Sequence, residues 1–296
     1  MTGEIKTKKG FRARIRFGIQ LVAALVQNAN FKGFFTGRIY QGSTKNVCVP
    51  GLNCYSCPGA VGACPIGSLQ NFLGSKTFKF PYYVLGLILF FGALLGRAVC
   101  GFLCPFGFIQ ELIHKIPFPK KKLRTFKGDK QLRYLKYVIL AVFVIILPIL
   151  IKNTPAFCKY ICPAGTLEGG IPIVLLHGKK LAMQIGTLFN WKMAVLIVTV
   201  VLCLIIYRPF CRYICPLGAI YGLTNHVSLC RLSIDSVKCV GCGTCSNICP
   251  MAADPLRNPN SPECIRCGKC ADACPEEAIH IGFRSAKKAS NTETIK

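Results

Sequence analysis

Eight cysteines near the C-terminal end constrain this chain more than any other feature. They read Cys239-x2-Cys242-x2-Cys245-x3-Cys249-Pro250, then Cys264-x2-Cys267-x2-Cys270-x3-Cys274-Pro275. Three thiolates so closely spaced wrap one iron–sulfur cubane, while the fourth, before proline, ligates the other cluster. The spacing predicts one [4Fe–4S] cluster on Cys239, Cys242, Cys245 and Cys274. It predicts a second on Cys264, Cys267, Cys270 and Cys249. Gly241, Gly243 and Gly268 keep the backbone small beside the sulfurs. Zinc also accepts four thiolates, but an eightfold pattern with paired prolines is an iron–sulfur arrangement. The expected unit is a small α+β two-cluster ferredoxin domain over 231–283, followed by a polar, disordered tail over 284–296.

The rest of the chain is apolar. Mean hydropathy is +0.45 and only 16% of the 296 residues are charged. Four stretches, about 15–35, 82–99, 132–151 and 189–207, approach the ~20 residues that cross a bilayer. The first is the weakest, with Gln20, Gln27, Asn28, Asn30 and Lys32 in it. A cleaved signal peptide is its alternative reading, but no small-residue cleavage site follows Val26. The net charge of +26 suggests nucleic acid only in a soluble protein with a base-reading motif, and none is present. Here the basic residues flank apolar segments. Lys6, Lys8, Lys9, Arg12, Arg14 and Arg16 open the first. Lys115, Lys120, Lys121, Lys122, Arg124, Lys127, Lys130, Arg133 and Lys136 lie between the second and third or just inside the third. Positive loops stay cytoplasmic, so the expectation is a multi-pass protein of the cell membrane, surrounded by lipid, with both termini in the cytoplasm.

Each apolar stretch is followed by a Cys-Pro-x-Gly turn: Cys64–Gly67, Cys104–Gly107, Cys162–Gly165 and Cys215–Gly218. Three are preceded by a cysteine four residues back, at Cys100, Cys158 and Cys211, and Arg97 and Arg208 precede two of them. The expected fold is therefore an all-α four-helix membrane domain (1–230) built from a duplicated two-helix unit, joined to the α+β ferredoxin domain. Residues i and i+4 share a helix face, and the proline then breaks one helix and opens the next. Two such half-sites predict an inner four-thiol site of Cys100, Cys104, Cys211 and Cys215, with the two arginines offsetting its charge. On the outer side, Cys57 and Cys64 pair most naturally with Cys158 and Cys162. Two other readings stay open there: a cluster within Cys48, Cys54, Cys57 and Cys64 alone, or disulfides among all six. One or two further iron–sulfur clusters thus join the two of the ferredoxin domain. Cys203 reads as a packed residue, and Cys230 has no partner at ligand spacing. His114 and His226 read as interfacial histidines that a quinone could also use.

With these motifs together, the chain resembles the NapH/MauN group of membrane ferredoxin-type proteins from about Arg12 to Ile281. Its Cys-x-x-x-Cys-Pro sets also resemble the membrane part of the NosR/NirI proteins. The resemblance implies single-electron transfer between a cytoplasmic carrier or the quinone pool and a redox partner protein. The motif Cys158/Cys162 and the Cys48–Cys64 loop depart from the simple pattern and suggest an outer redox site. Two other functions fit the same cysteines: a maturation factor that reduces a metal or thiol for another enzyme, and an iron–sulfur redox sensor. No Rossmann glycine fingerprint or acid–base carboxylate pair stands out. An electron-transfer subunit is therefore expected rather than a stand-alone enzyme, with no nucleic-acid partner.

Overall fold

The computed structural model describes residues 4–75, 81–119, 122–152, 154–181 and 186–283, with side chains over 12–176 and 186–283 of these. The tail expected over 284–296 lies outside the described residues. Four long helices run Glu4–Gln27, Tyr82–Leu95, Asp129–Leu150 and Thr187–Ile205. They overlap the four apolar stretches, with shifted ends. The first stops at Gln27, where the Asn28 amide closes onto Ala24 and Leu25. The second stops at Leu95, because Gly96 turns to φ 53° beneath Arg266. A Cβ at Gly96 would meet the Arg266 guanidinium at 2.7 Å, so only glycine fits both the backbone angle and the space.

Two of these helices, Asp129–Leu150 and Thr187–Ile205, are long and apolar enough to cross a membrane. Only 22% and 17% of their apolar windows are buried within the protein, unlike the core helix of a soluble fold. Tyr82–Leu95 is apolar but has 14 residues. Glu4–Gln27 is inside out. Its Arg16, Gln20 and Gln27 are buried while Val22 and Val26 are 59% and 62% exposed. Gln20 and Gln27, two of the polar residues that weaken this stretch in the sequence, are thus part of its protein-facing stripe. Gln20 donates to the Gly101 carbonyl at 2.9 Å and Gln27 to the Leu103 carbonyl at 2.7 Å.

Wide π-turns over Leu140–Ile146 and Gly165–Gly170 each precede a proline, Pro148 and Pro172. Proline offers no amide to the carbonyl four residues back, and a π-turn absorbs the mismatch. Three Cys-Pro-x-Gly copies begin helices, Pro65–Leu73, Pro105–Lys115 and Pro216–Thr224, with the cysteine as the capping residue.

The chain ends in a small α+β unit. Strands β1 (Cys230–Ile234) and β2 (Ile279–Phe283) pair antiparallel, with Leu232 opposite Ile281. Between them lie the short helices Thr244–Ile248 and Lys269–Ala273. This unit is welded to the helices. Met251 and Ile265 belong to the main core, and Cys249 and Cys267 pack on it. Glu263 pairs with both Arg97 and Lys136. Arg266 reaches the Leu95 carbonyl at 2.6 Å and the Ser228 hydroxyl at 2.7 Å.

Candidate iron–sulfur sites

Two cavities of the C-terminal unit are lined by four cysteines each. One holds Cys239, Cys242, Cys245 and Cys274, with Gly243 and Ile279. The other holds Cys249, Cys264, Cys267 and Cys270, with Met251 and Ile265. The cysteine before each proline crosses to the other run's cavity, because Cys249 and Cys274 leave short helices in extended conformation. The preceding glycines, Gly243 and Gly268, sit at φ 72° and 82°. Burial pushes the Cys264 and Cys270 thiols up to about 12, and Cys267 and Cys249 add to both shifts.

Cys100, Cys104, Cys211 and Cys215 are all buried in one core. Burial first and then the neighbouring Cys211 raise Cys100 to about 11 and Cys104 to about 12. Cys215 is raised by burial and then by Cys211, Cys100 and Cys104. Each of these thiols opposes the ionisation of its neighbours, and a cation bound among them would displace their protons. The amides of Gly107 and Gly218 donate to Cys104 Sγ and Cys215 Sγ, each at 3.4 Å. The two arginines exchange partners between the halves. Arg97 donates to the Cys211 carbonyl at 2.7 Å, and Arg208 to the Cys100 carbonyl. Both side chains are fully buried, and Glu263 and Glu111 balance them.

A further group gathers around the Cys48–Cys64 loop. No disulfide joins any of the twenty cysteines. The charges bearing on Cys162 come from Cys158, Cys54 and Cys64, and those on Cys64 from Cys158 and Cys54. The expectation paired Cys57 with these residues. The structure instead brings Cys54 beside them, while the Cys57 thiol faces Asn28 Oδ1 at 3.6 Å. Cys48 faces Ser68 Oγ at 3.4 Å. The reason is long-range: the Cys54 amide is held by Glu168, at 2.7 Å, in the turn after Cys162.

Two glutamines were not singled out from sequence, although their spacing carries a signal. Gln70 and Gln110 each stand six residues after the cysteine of a Cys-Pro-x-Gly turn. Gln70 Nε2 donates to Cys158 Sγ at 3.3 Å, and Gln110 Nε2 to Cys211 Sγ at 3.1 Å. The oxygen of each amide is engaged elsewhere, Gln70 by the Phe157 amide and Gln110 by the Cys203 thiol. Cys203 therefore does more than fill space. His114 spends Nδ1 on the Cys203 carbonyl and stacks edge-on with Tyr207.

Four-thiol sites with amides aimed at sulfur and charge balance from buried arginines fit [4Fe–4S] clusters. A 4Fe-4S binding domain signature matches residues 80–125, 136–173 and 190–233, and a 4Fe-4S dicluster domain signature matches 231–275. The chain is 31% identical to the uncharacterized protein MJ0750 of Methanocaldococcus jannaschii, over 64% of this chain and 73% of that protein. It is 28% identical to the methylamine utilization ferredoxin-type protein MauN of Paracoccus denitrificans, over 62% and 59%. It is also 28% identical to the ferredoxin-type protein NapH of Haemophilus influenzae, over 58% and 54%. The chain thus spans a little over half the length of the last two. No solved structure matches it.

Fold and sites together define a ferredoxin-type iron–sulfur protein of electron transfer. Within that class the chain belongs to the NapH/MauN-type 4Fe-4S proteins.

Proposed function

We propose that the protein spans the cell membrane four times with both ends cytoplasmic. It passes single electrons between a cytoplasmic carrier and either quinone or an extracytoplasmic redox partner. Two observations support the membrane arrangement. Apolar surface on Glu4–Gln27, Asp129–Leu150 and Thr187–Ile205 faces outward. Tyr82, Tyr83 and Trp191 are exposed at the starts of their helices, where interfacial aromatics belong.

The observation that carries the function is contiguity. Ile265, between Cys264 and Cys267, presses its carbonyl onto Gly101, beside Cys100, where a Cβ would stand 2.4 Å away. In this reading Cys239, Cys242, Cys245 and Cys274 hold one cluster, and Cys249, Cys264, Cys267 and Cys270 the next. Cys100, Cys104, Cys211 and Cys215 hold a third. When bound, each cluster supplies a one-electron carrier. The protein's part is to exclude water from the thiols, to orient them through glycine amides, and to neutralise them with Arg97 and Arg208. Cys242, the exposed cysteine of the outermost set, marks where a soluble carrier docks.

Proteoliposomes with the basic face outward test this. Externally added reduced ferredoxin should reduce a bilayer quinone or a dye trapped inside. Failure of both in iron-replete protein overturns the proposal.

A further inference from the structure

We infer that Cys54, Cys64, Cys158 and Cys162 form a fourth cluster site, a second four-thiol [4Fe–4S] centre within the helical domain. This rests on the electron-transfer reading above and extends it past the third set.

Local structure at this group repeats that of the Cys100 set. The Gly67 amide faces the Cys64 sulfur and the Gly165 amide faces the Cys162 sulfur. Cys64 begins its helix as Cys104 and Cys215 begin theirs, though without the side-chain capping hydrogen bond that those two accept. Gln70 donates to Cys158 at 3.3 Å as Gln110 donates to Cys211. The glycines lie against the thiols: a Cβ at Gly67 would stand 3.8 Å from Cys158 Sγ and 3.9 Å from Cys64 Cβ. A Cβ at Gly165 would stand 3.4 Å from both Cys54 Sγ and Lys192 Nζ. Lys192 thus brings a cation to the site, in the part that the arginines play at the Cys100 set.

Cys54 replaces the fourth cysteine that strict repetition would require. The position four residues before Cys64 is Ala60, which has no thiol. Cys54 comes in from the loop, its amide fixed by Glu168. Among the described residues, Glu168 Oε1 and Thr166 Oγ1 in the adjoining turn are buried without hydrogen-bond partners. The Thr166 hydroxyl can donate to a cluster sulfide there, whereas an ionised Glu168 oxygen only accepts and finds no donor in a cluster.

The test is iron and acid-labile sulfide per purified full-length chain, with zinc measured alongside. Wild type should carry about sixteen irons, at four per cubane. Cys54→Ser and Cys158→Ser should each lose about a quarter of the iron, with the ferredoxin-domain EPR signals intact as the control for folding. Cys57→Ser and Cys48→Ser should keep all of it. Full iron in Cys54→Ser, or a quarter lost in Cys57→Ser, overturns the assignment. Zinc in place of the fourth cluster also overturns it. About twelve irons in wild type would remove this site and leave the function proposed above standing. A chain without iron would sink both.

Discussion

The Tyr221 hydroxyl donates to the Pro50 carbonyl at 3.0 Å. Tyr221 lies six residues after Cys215 on a helix of the Cys100 set, and Pro50 belongs to the loop that carries Cys54 and Cys64. Tyr221 is fully buried, and its hydroxyl feels Cys100, Cys104 and Cys215 from one set and Cys64 from the other. The Leu52 carbonyl lies 4.0 Å from Cys104 Sγ. The loop therefore folds inward between the helices, and the two thiol groups are neighbours. The ~30 Å of hydrocarbon that separates opposite membrane faces does not separate them.

Tyr221→Phe should loosen that junction without emptying either site. The Pro50 carbonyl loses its donor in a buried place, which costs about 1–3 kcal/mol. Thermal loss of chromophore absorbance should shift to lower temperature, with iron per chain unchanged. An unaltered transition would show that the hydrogen bond holds nothing.

If the Cys100 set holds a cluster as proposed, Gln110→Leu should lower its reduction potential and spare the ferredoxin pair. An N–H aimed at sulfur stabilises the added negative charge, so its removal favours the oxidised form. The effect should be about 1 kcal/mol, roughly 40 mV for one electron. Redox titration followed by EPR reads it directly, and Gln110→Asn, with a shorter reach, should fall between. No shift would mean that the contact with Cys211 is structural.

Glu263→Gln should undock the ferredoxin unit. Glu263 is buried between Arg97 and Lys136, and breaking a buried ion pair by removing one member costs about 3–5 kcal/mol. Limited proteolysis should then cut near Ser228–Arg231 at a rate at least tenfold above wild type. Equal resistance would show that Arg266, together with the Asn225 amide that donates to the Ser261 and Cys264 carbonyls, suffices for docking.

Acid should free the N-terminal helix through Glu111. Burial acts to raise this carboxyl, but Arg208 and Arg16 outweigh it and hold the group at about 2, below its ordinary 4.5. A depressed carboxylate stabilises the fold fully above its unfolded value, and that stability is lost as pH falls towards the folded one. The window is therefore about pH 4.5 down to 2, with some 3 kcal/mol at stake. Hydrogen exchange in Glu4–Gln27 should be flat from pH 7 to 5 after correction for intrinsic rate, then rise. Glu111→Gln should show that exposure already at neutral pH.

By itself, the sequence determined the class of chemistry and most of the local geometry. Ligand spacing acts within a turn or two. The two four-cysteine runs, the Cys-Pro-x-Gly helix starts and the apolar stretches are accordingly legible in it, and so is the crossing of the cysteine before proline. The polar stripe of the first helix was visible as a weakness, without its meaning. The tertiary structure alone decided that Cys54 and not Cys57 stands beside Cys158, that Arg97 and Arg208 exchange halves, and how deeply the Cys48–Cys64 loop enters. Each of these depends on contacts between residues 114 or more positions apart: Cys54 with Glu168, Arg97 with Cys211, Pro50 with Tyr221. Such contacts are set by how helices pack around buried polar groups that must find partners. Spacing along the chain does not encode which partner they find.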